Sequence, residues 1–276
     1  MTAVESADRP VVAKRPHGGA FRPRLSAAAP LWTIIALLLV WEIVCRVFSV
    51  PQFVLPAPSA IWSSAEQFGI GHWADNFLAT LQIVIVGFAV SIAVSLPLAI
   101  VLTHFRLLAR TIYPVLIIIQ STPIVAIAPI IVVMLGTGVL PRVVIVFLIT
   151  FFPLVISTAT GLGSTPRELI ELSRSLKAGR IREYLHIRLP YAVPFIFSAL
   201  RISVTLAVIG SVVAEFVAAD KGLGFLILFS TSLFKVPQAF ASLGILVTAS
   251  LVLFHLVVLV QRLFFPWSIP KAGREE

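Results

Sequence analysis

The sequence predicts an all-α, polytopic membrane protein with six transmembrane helices. Three observations carry that prediction. Hydrophobic residues make up 59% of the 276-residue chain and charged residues only 12%. A soluble domain carries about 25% charged residues. This chain lacks the polar surface to cover a water-soluble globule, so its apolar solvent must be lipid. Six apolar runs are long enough, at about 20 residues each, to cross a bilayer. Finally, the Lys and Arg residues are unevenly divided between the connecting segments. Sixteen lie on the side shared by the two termini, three on the other, and Arg46 and Arg201 fall inside runs. That bias is positive-inside and places both termini in the cytoplasm.

Residues 1–30 are polar, basic and proline-containing, and read as a disordered cytoplasmic tail. The expected spans follow at Leu31–Val50, Phe77–Leu102, Ile112–Leu135, Leu140–Leu162, Tyr191–Ala214 and Phe240–Phe264. Together 31–265 form one transmembrane domain, and 266–276 a short cytoplasmic tail. Leu31–Val50 reads as a retained span, because Ala27-Ala28-Ala29 precedes the apolar run instead of following it. Residues 51–76 read as an outer loop holding His72. Gly222–Phe234 is apolar but too short to cross, which predicts an interfacial or re-entrant helix on the outer side.

Composition also excludes some functions. The net charge of +9 follows membrane topology, so it does not point to nucleic acid. The single cysteine, Cys45, has no intrachain partner for a disulfide. His17, His72, His104, His186 and His255 are scattered, with no pair at helix metal-ligand spacing, so no metal site is expected.

The segment Ser164–Pro190, STPRELIELSRSLKAGRIREYLHIRLP, carries six of the 21 Lys and Arg and three of the 12 Asp and Glu. Thr165-Pro166-Arg167-Glu168 predicts a helix start, with Thr165 as cap, proline in the first turn and Glu168 completing a capping box. Leu169, Ile170, Leu172 and Leu176 form an apolar stripe. Glu171 and Arg174, three residues apart, are placed to pair. Glycine at 179 predicts a bend over Lys177–Gly179, and a second short helix, Arg180–Ile187, leads to Leu189-Pro190 and the next span. The expectation is an amphipathic helix, a bend, and a return to the membrane.

At this point the sequence resembles bacterial ABC importer permeases. Their corresponding loop has the form E-A-A, three residues, G, nine residues, I-x-L-P. Glu171-Leu172-Ser173 takes the first place and Ile187-Arg188-Leu189-Pro190 the last. The family's glycine falls on Lys177, and Gly179 is the expected substitute for the bend. Leu55-Pro56-Ala57-Pro58-Ser59, Thr122-Pro123, Phe151-Phe152-Pro153, Leu206–Phe216 and Gly222-Leu223-Gly224 resemble the branch that imports nitrate, sulfonates, taurine and thiamine-related pyrimidines.

The resemblance implies a type I importer permease fold in the bacterial inner membrane and a homodimeric pathway. It implies two copies of an ABC ATPase subunit inside and a solute-binding protein outside. The loop would then be a coupling helix docking into the ATPase through Glu168, Glu171, Arg174, Lys177 and Gly179. The chain has no G-x-x-x-x-G-K-[ST] segment and no Gly-Lys dipeptide, so ATP is expected on the partner subunit and no cofactor or catalytic residue on this chain. The substrate implied is a small polar organic solute or anion, such as a thiamine-precursor pyrimidine, sulfonate, taurine or nitrate.

Four further residues are candidates for the pathway. Gln120, Ser121 and Thr122 precede Pro123 near the middle of the third run. They fit a pathway lining, and equally interhelical hydrogen bonding at a proline kink. Glu215, near the outer end of the fifth run, fits a pathway or gate position, and equally a site just outside the hydrocarbon. Glu42 and Arg46 are spaced to pair on the first span. Arg201 is expected to snorkel to the cytoplasmic face or to pair within the bundle. The alternative function is an ion-coupled secondary transporter acting without an ATPase. It calls for mid-span ionisable residues and an inverted repeat; Glu42 alone lies near mid-span, and no repeat is evident. An intramembrane enzyme would need a convergent reactive constellation, which the sequence does not offer.

Overall fold

The computed structural model describes residues 29–269. The expected basic tail lies outside these residues apart from its last two positions, and so do 270–276 of the expected C-terminal tail. Helix α1 spans Ala29–Val47 and α2 Pro58–Gln67; α3 is Ile70–His104 and α4 Arg106–Ser121. After α5 (Ile124–Leu135) and α6 (Val139–Gly163) come the loop helices α7 (Arg167–Ser175) and α8 (Arg180–Glu183). The chain ends with α9 (Leu189–Ala218), α10 (Leu223–Ser232) and α11 (Val236–Phe264). Among the described residues, five segments are long and apolar enough to cross a membrane, and six if α4 and α5 are one broken span.

The core is a bundle of α3, α6 and α9, with α6 and α9 in the most intimate contact. Small residues permit that approach, as they do where lipid supplies no hydrophobic drive between helices. A Cβ on Gly161 of α6 would meet Phe195 Cβ at 2.7 Å and Ala192 Cα at 3.1 Å on α9. Hydroxyls bridge the same three helices: Ser91 bonds Thr150, and the Ser203 hydroxyl donates to Thr150 O at 3.4 Å. Ile83, Val146, Val208, Leu226 and Leu246 fill the space where α3, α6, α9, α10 and α11 meet.

The third span is broken far more sharply than the expected proline kink. α4 and α5 meet at 94°. Pro123 supplies no N–H, and the residue before a proline is pushed out of the helical region; Thr122 accordingly sits at φ −80°, ψ 127°. Two other expectations change. α3 begins at Ile70, so His72 lies in its first turn and not in a loop. The loop expected over 51–76 also contains α2, which starts with Pro58 in its first turn, a position where the missing N–H costs nothing.

Helix α1 is nearly unpacked. The Glu42–Arg46 pair forms as expected, at 2.6 Å. Glu42 also reaches Ser59: Ser59 N–H donates to Oε2 at 3.0 Å and its hydroxyl to Oε1 at 2.7 Å. One carboxylate thus tethers α1 to the first turn of α2, and Trp41 lies 6.0 Å from Phe240 of α11. Arg201 pairs within the bundle, donating from Nη2 to Gln261 Oε1 of α11; Gln261 Nε2 in turn donates to Ser268 Oγ at 2.9 Å.

Candidate functional site

The loop between α6 and α9 shows how its sequence shapes a projecting helix. α7 stops at Ser175 and the chain turns back through Leu176–Gly179. Lys177 N–H donates to Arg174 O at 2.9 Å, and Ala178 N–H to Ser173 O at 3.0 Å. This is the Schellman pattern, which places its C′ residue in the left-handed region. That residue is Lys177, at φ 53°. The bend therefore occurs where expected but not as expected. Gly179 sits at φ −64°, ψ 152°, extended backbone open to any residue, and does not substitute for the family's glycine. Lys177 adopts the glycine conformation itself.

Two other loop expectations are corrected. The capping box does not form: α7 has no side-chain cap, and the buried Thr165 hydroxyl donates to Leu162 O at 3.3 Å. Thr165 lies two residues past the end of α6, and its hydroxyl turns back to that helix instead of forward to α7. Glu171 and Arg174 do not pair either. Arg174 Nε points to Glu183 Oε2 at 3.8 Å, and Glu171 has no ion pair among the described residues.

Helix α7 packs only marginally against other described helices. Leu169 and Ile170 are half-buried and Ser173 is buried, so one face looks back at the bundle. The expected apolar stripe splits. Leu172 and Leu176 turn outward, 56% and 74% exposed. Glu168, Glu171, Arg174, Lys177 and Gly179 are exposed around them. An apolar pair ringed by both signs of charge on a projecting helix has the composition of a contact surface, apolar at its centre and polar at its rim.

The pathway candidates sit apart from this loop. Gln120 and Ser121 are exposed and Thr122 half-buried, at the break between α4 and α5. Ser121 Oγ donates to Ile117 O at 2.8 Å and Thr122 Oγ1 to Ile118 O at 2.9 Å. The hydroxyls are thus satisfied within α4, while the Gln120 amide has no partner among the described hydrogen bonds.

Glu215 is placed differently. It is 1% exposed and lies against the start of α10. Three consecutive backbone N–H groups there are taken by side chains: Gly222 donates to Asn76 Oδ1 at 2.9 Å, Leu223 to Thr80 Oγ1 at 2.8 Å and Gly224 to Glu215 Oε2 at 2.7 Å. The first N–H groups of a helix have no partner within it. Here α3 and α9 supply the partners and pin α10 to the bundle. Asn76 and Thr80 escaped sequence reading; two polar residues four apart entering an apolar helix were the available signal. Glu183, the one acid among four bases between Arg180 and Arg188, was also missed.

Known proteins resemble this chain in sequence and in fold. The family described as "Binding-protein-dependent transport system inner membrane component" matches residues 91–269. The riboflavin transport system permease protein RibX of Chloroflexus aurantiacus is 35% identical over 240 residues, 86% of this chain and 88% of its own. A probable ABC transporter permease protein of Haemophilus influenzae is 33% identical, covering 87% and 97%. The formylaminopyrimidine transport permease protein ThiX of Halalkalibacterium halodurans is 31% identical, covering 87% and 96%. Among solved structures, a chain of the inward-facing MetNI methionine ABC transporter superimposes with a TM-score of 0.59. It is 22% identical, with 66% of this chain and 91% of that chain covered, which establishes a shared fold.

Proposed function

The chain belongs to the family of binding-protein-dependent transport system inner membrane components and is a multi-pass ABC importer permease subunit, and from that premise we propose how it works. Two copies enclose the pathway. An ATPase subunit docks on each α7, and an extracytoplasmic binding protein delivers the substrate. Both termini and α7 lie in the cytoplasm, in keeping with the Lys and Arg bias.

One observation carries the docking assignment: α7 stands off the bundle with Leu172 and Leu176 exposed among Glu168, Glu171, Arg174 and Lys177. Exposed leucines on a helix outside the membrane call for a partner. Closure of the ATPase pair on ATP pushes α7, and the bundle responds by switching between outward- and inward-facing states. Gln120, Ser121 and Thr122 line the pathway at the broken span, where a helix break is tolerated because it borders a cavity. Glu215 acts at the outer gate by holding α10. The substrate is a small polar organic solute of the vitamin or vitamin-precursor class; riboflavin and formylaminopyrimidine, named for two relatives, are the first candidates, and nitrate, named for the permease NrtB of Synechocystis, comes after them.

Copurification with a candidate ATPase subunit tests the docking. The wild-type chain should bind it and support ATP hydrolysis, and Glu171→Arg should abolish both while leaving the permease folded. If Glu171→Arg binds as the wild type does, α7 is not the docking element. A ligand screen on the binding protein tests the substrate class.

A further inference from the structure

Glu183 is a buried carboxylate between two arginines on different elements. Its Oε1 lies 2.7 Å from Arg188 Nη2 and accepts from Arg188 Nε at 2.8 Å. Its Oε2 lies 3.8 Å from Nε of Arg174 on α7. The backbone is built for this grip. Residues five apart on an α-helix diverge by about 140° around the axis, at 3.6 residues per turn. Arg188 in a regular helix would point away from Glu183. Instead, Tyr184–Arg188 forms a π turn, closed by Leu189 N–H donating to Tyr184 O. The wider turn sets positions 183 and 188 one above the other. The Arg188 guanidinium also lies 4.9 Å above the Tyr184 ring. Single π turns inside long helices concentrate at functional sites.

The covalent route from α7 to α9 runs through the left-handed turn at Lys177. A force applied to α7 would pivot it about that turn and be lost there. The line Arg174–Glu183–Arg188 bypasses the turn. It has one foot on α7 and a half-buried foot at the base of α9, which runs unbroken into the core beside α6. We infer that Glu183 is a positioning residue that ties α7 to α9, so that movement imposed on α7 is transmitted to the span. This rests on the reading of α7 as the ATPase contact. An exposed ion pair alone contributes little. Glu183 is different because its remaining oxygen is fixed in the fold, which gives Arg174 a stationary target.

The test uses the permease assembled with its ATPase subunit in nanodiscs, in a Cys45→Ala background. Nitroxides at Ser175→Cys on α7 or at Ile202→Cys on α9 report the distance between the two copies, with and without ATP and vanadate. In the otherwise unaltered chain both distances shift on ATP binding. With Glu183→Gln, the complex still assembles, hydrolyses ATP and shifts at position 175, but the shift at 202 is lost. The exchange Glu183→Arg with Arg188→Glu keeps an ion pair inside the π turn but turns position 183 against Arg174. It should recover the thermal stability of the wild type without recovering the α9 shift. An α9 shift that survives both variants overturns the inference. Absence of ATPase binding by the unaltered chain instead overturns the docking assignment on which it stands.

Discussion

Glu215 Oε2 accepts a hydrogen bond from Gly224 N–H at 2.7 Å, joining the C-terminal part of α9 to the first turn of α10. With Asn76 and Thr80 holding the two preceding N–H groups, α10 is moored at its N-terminus. Glu215→Ala strands a buried donor and should cost about 1–3 kcal/mol. Glu215→Gln keeps an acceptor and should cost less. Thermal unfolding in detergent gives the order, and faster amide exchange confined to the start of α10 gives the location.

Gly222 sits at φ 129°, and a Cβ there would overlap the Glu215 carboxylate. Strain and overlap act together, so Gly222→Ala should destabilise by at least about 2 kcal/mol. Gly163→Ala, where a Cβ meets nothing within 4 Å, is the matched control and should unfold near the wild-type temperature.

Lys177 holds a left-handed conformation that costs a non-glycine residue about 1–2 kcal/mol. Lys177→Gly should therefore raise stability by about 1 kcal/mol, since glycine's greater freedom in the unfolded chain offsets part of the gain. Lys177→Val, branched at Cβ, should lower it. Unfolding midpoints of the three proteins should rank Gly above Lys above Val.

Arg201 and Gln261 join α9 to α11, and Gln261 carries the link on to Ser268. Gln261→Leu removes the acceptor of a charged donor, worth about 1.5–3 kcal/mol. The expected result is a lower unfolding temperature together with proteolysis near Phe265, as the chain end loses its anchor.

Much of this architecture could be read from the sequence because lipid is a demanding solvent. The apolar runs ending at Val50 and beginning at Leu140 match α1 and α6 to within a few residues. Failures arose where tertiary contacts override local chemistry. Pro123 signals a kink, but hydropathy carries no angle, so the 94° break was invisible. Thr165 has the chemistry of a cap, yet burial against α6 commits its hydroxyl elsewhere. Gly179 looked like the turn residue because glycine is the residue that turns most cheaply; the hydrogen bonds of α7 place the turn two positions earlier. Arg201 drew attention as a charge in an apolar helix, but its partner, Gln261, lies 60 residues away, beyond any local pattern; the partner of Glu215, Gly224, lies nine residues on, across the turn into α10.

Helix α1 has a biosynthetic consequence. Its contacts come from α2 beside it and from Phe240 of α11, close to the end of the chain. At about 5–20 residues per second, α11 emerges roughly 10–40 s after α1. Through that interval α1 waits in the bilayer as a lone span carrying an acid and a base. Ser59 is made only moments after Glu42, so the carboxylate is covered almost at once. The charges of α1 are thus covered within its own early segment, and α11, the last long helix among the described residues, is the one that docks it.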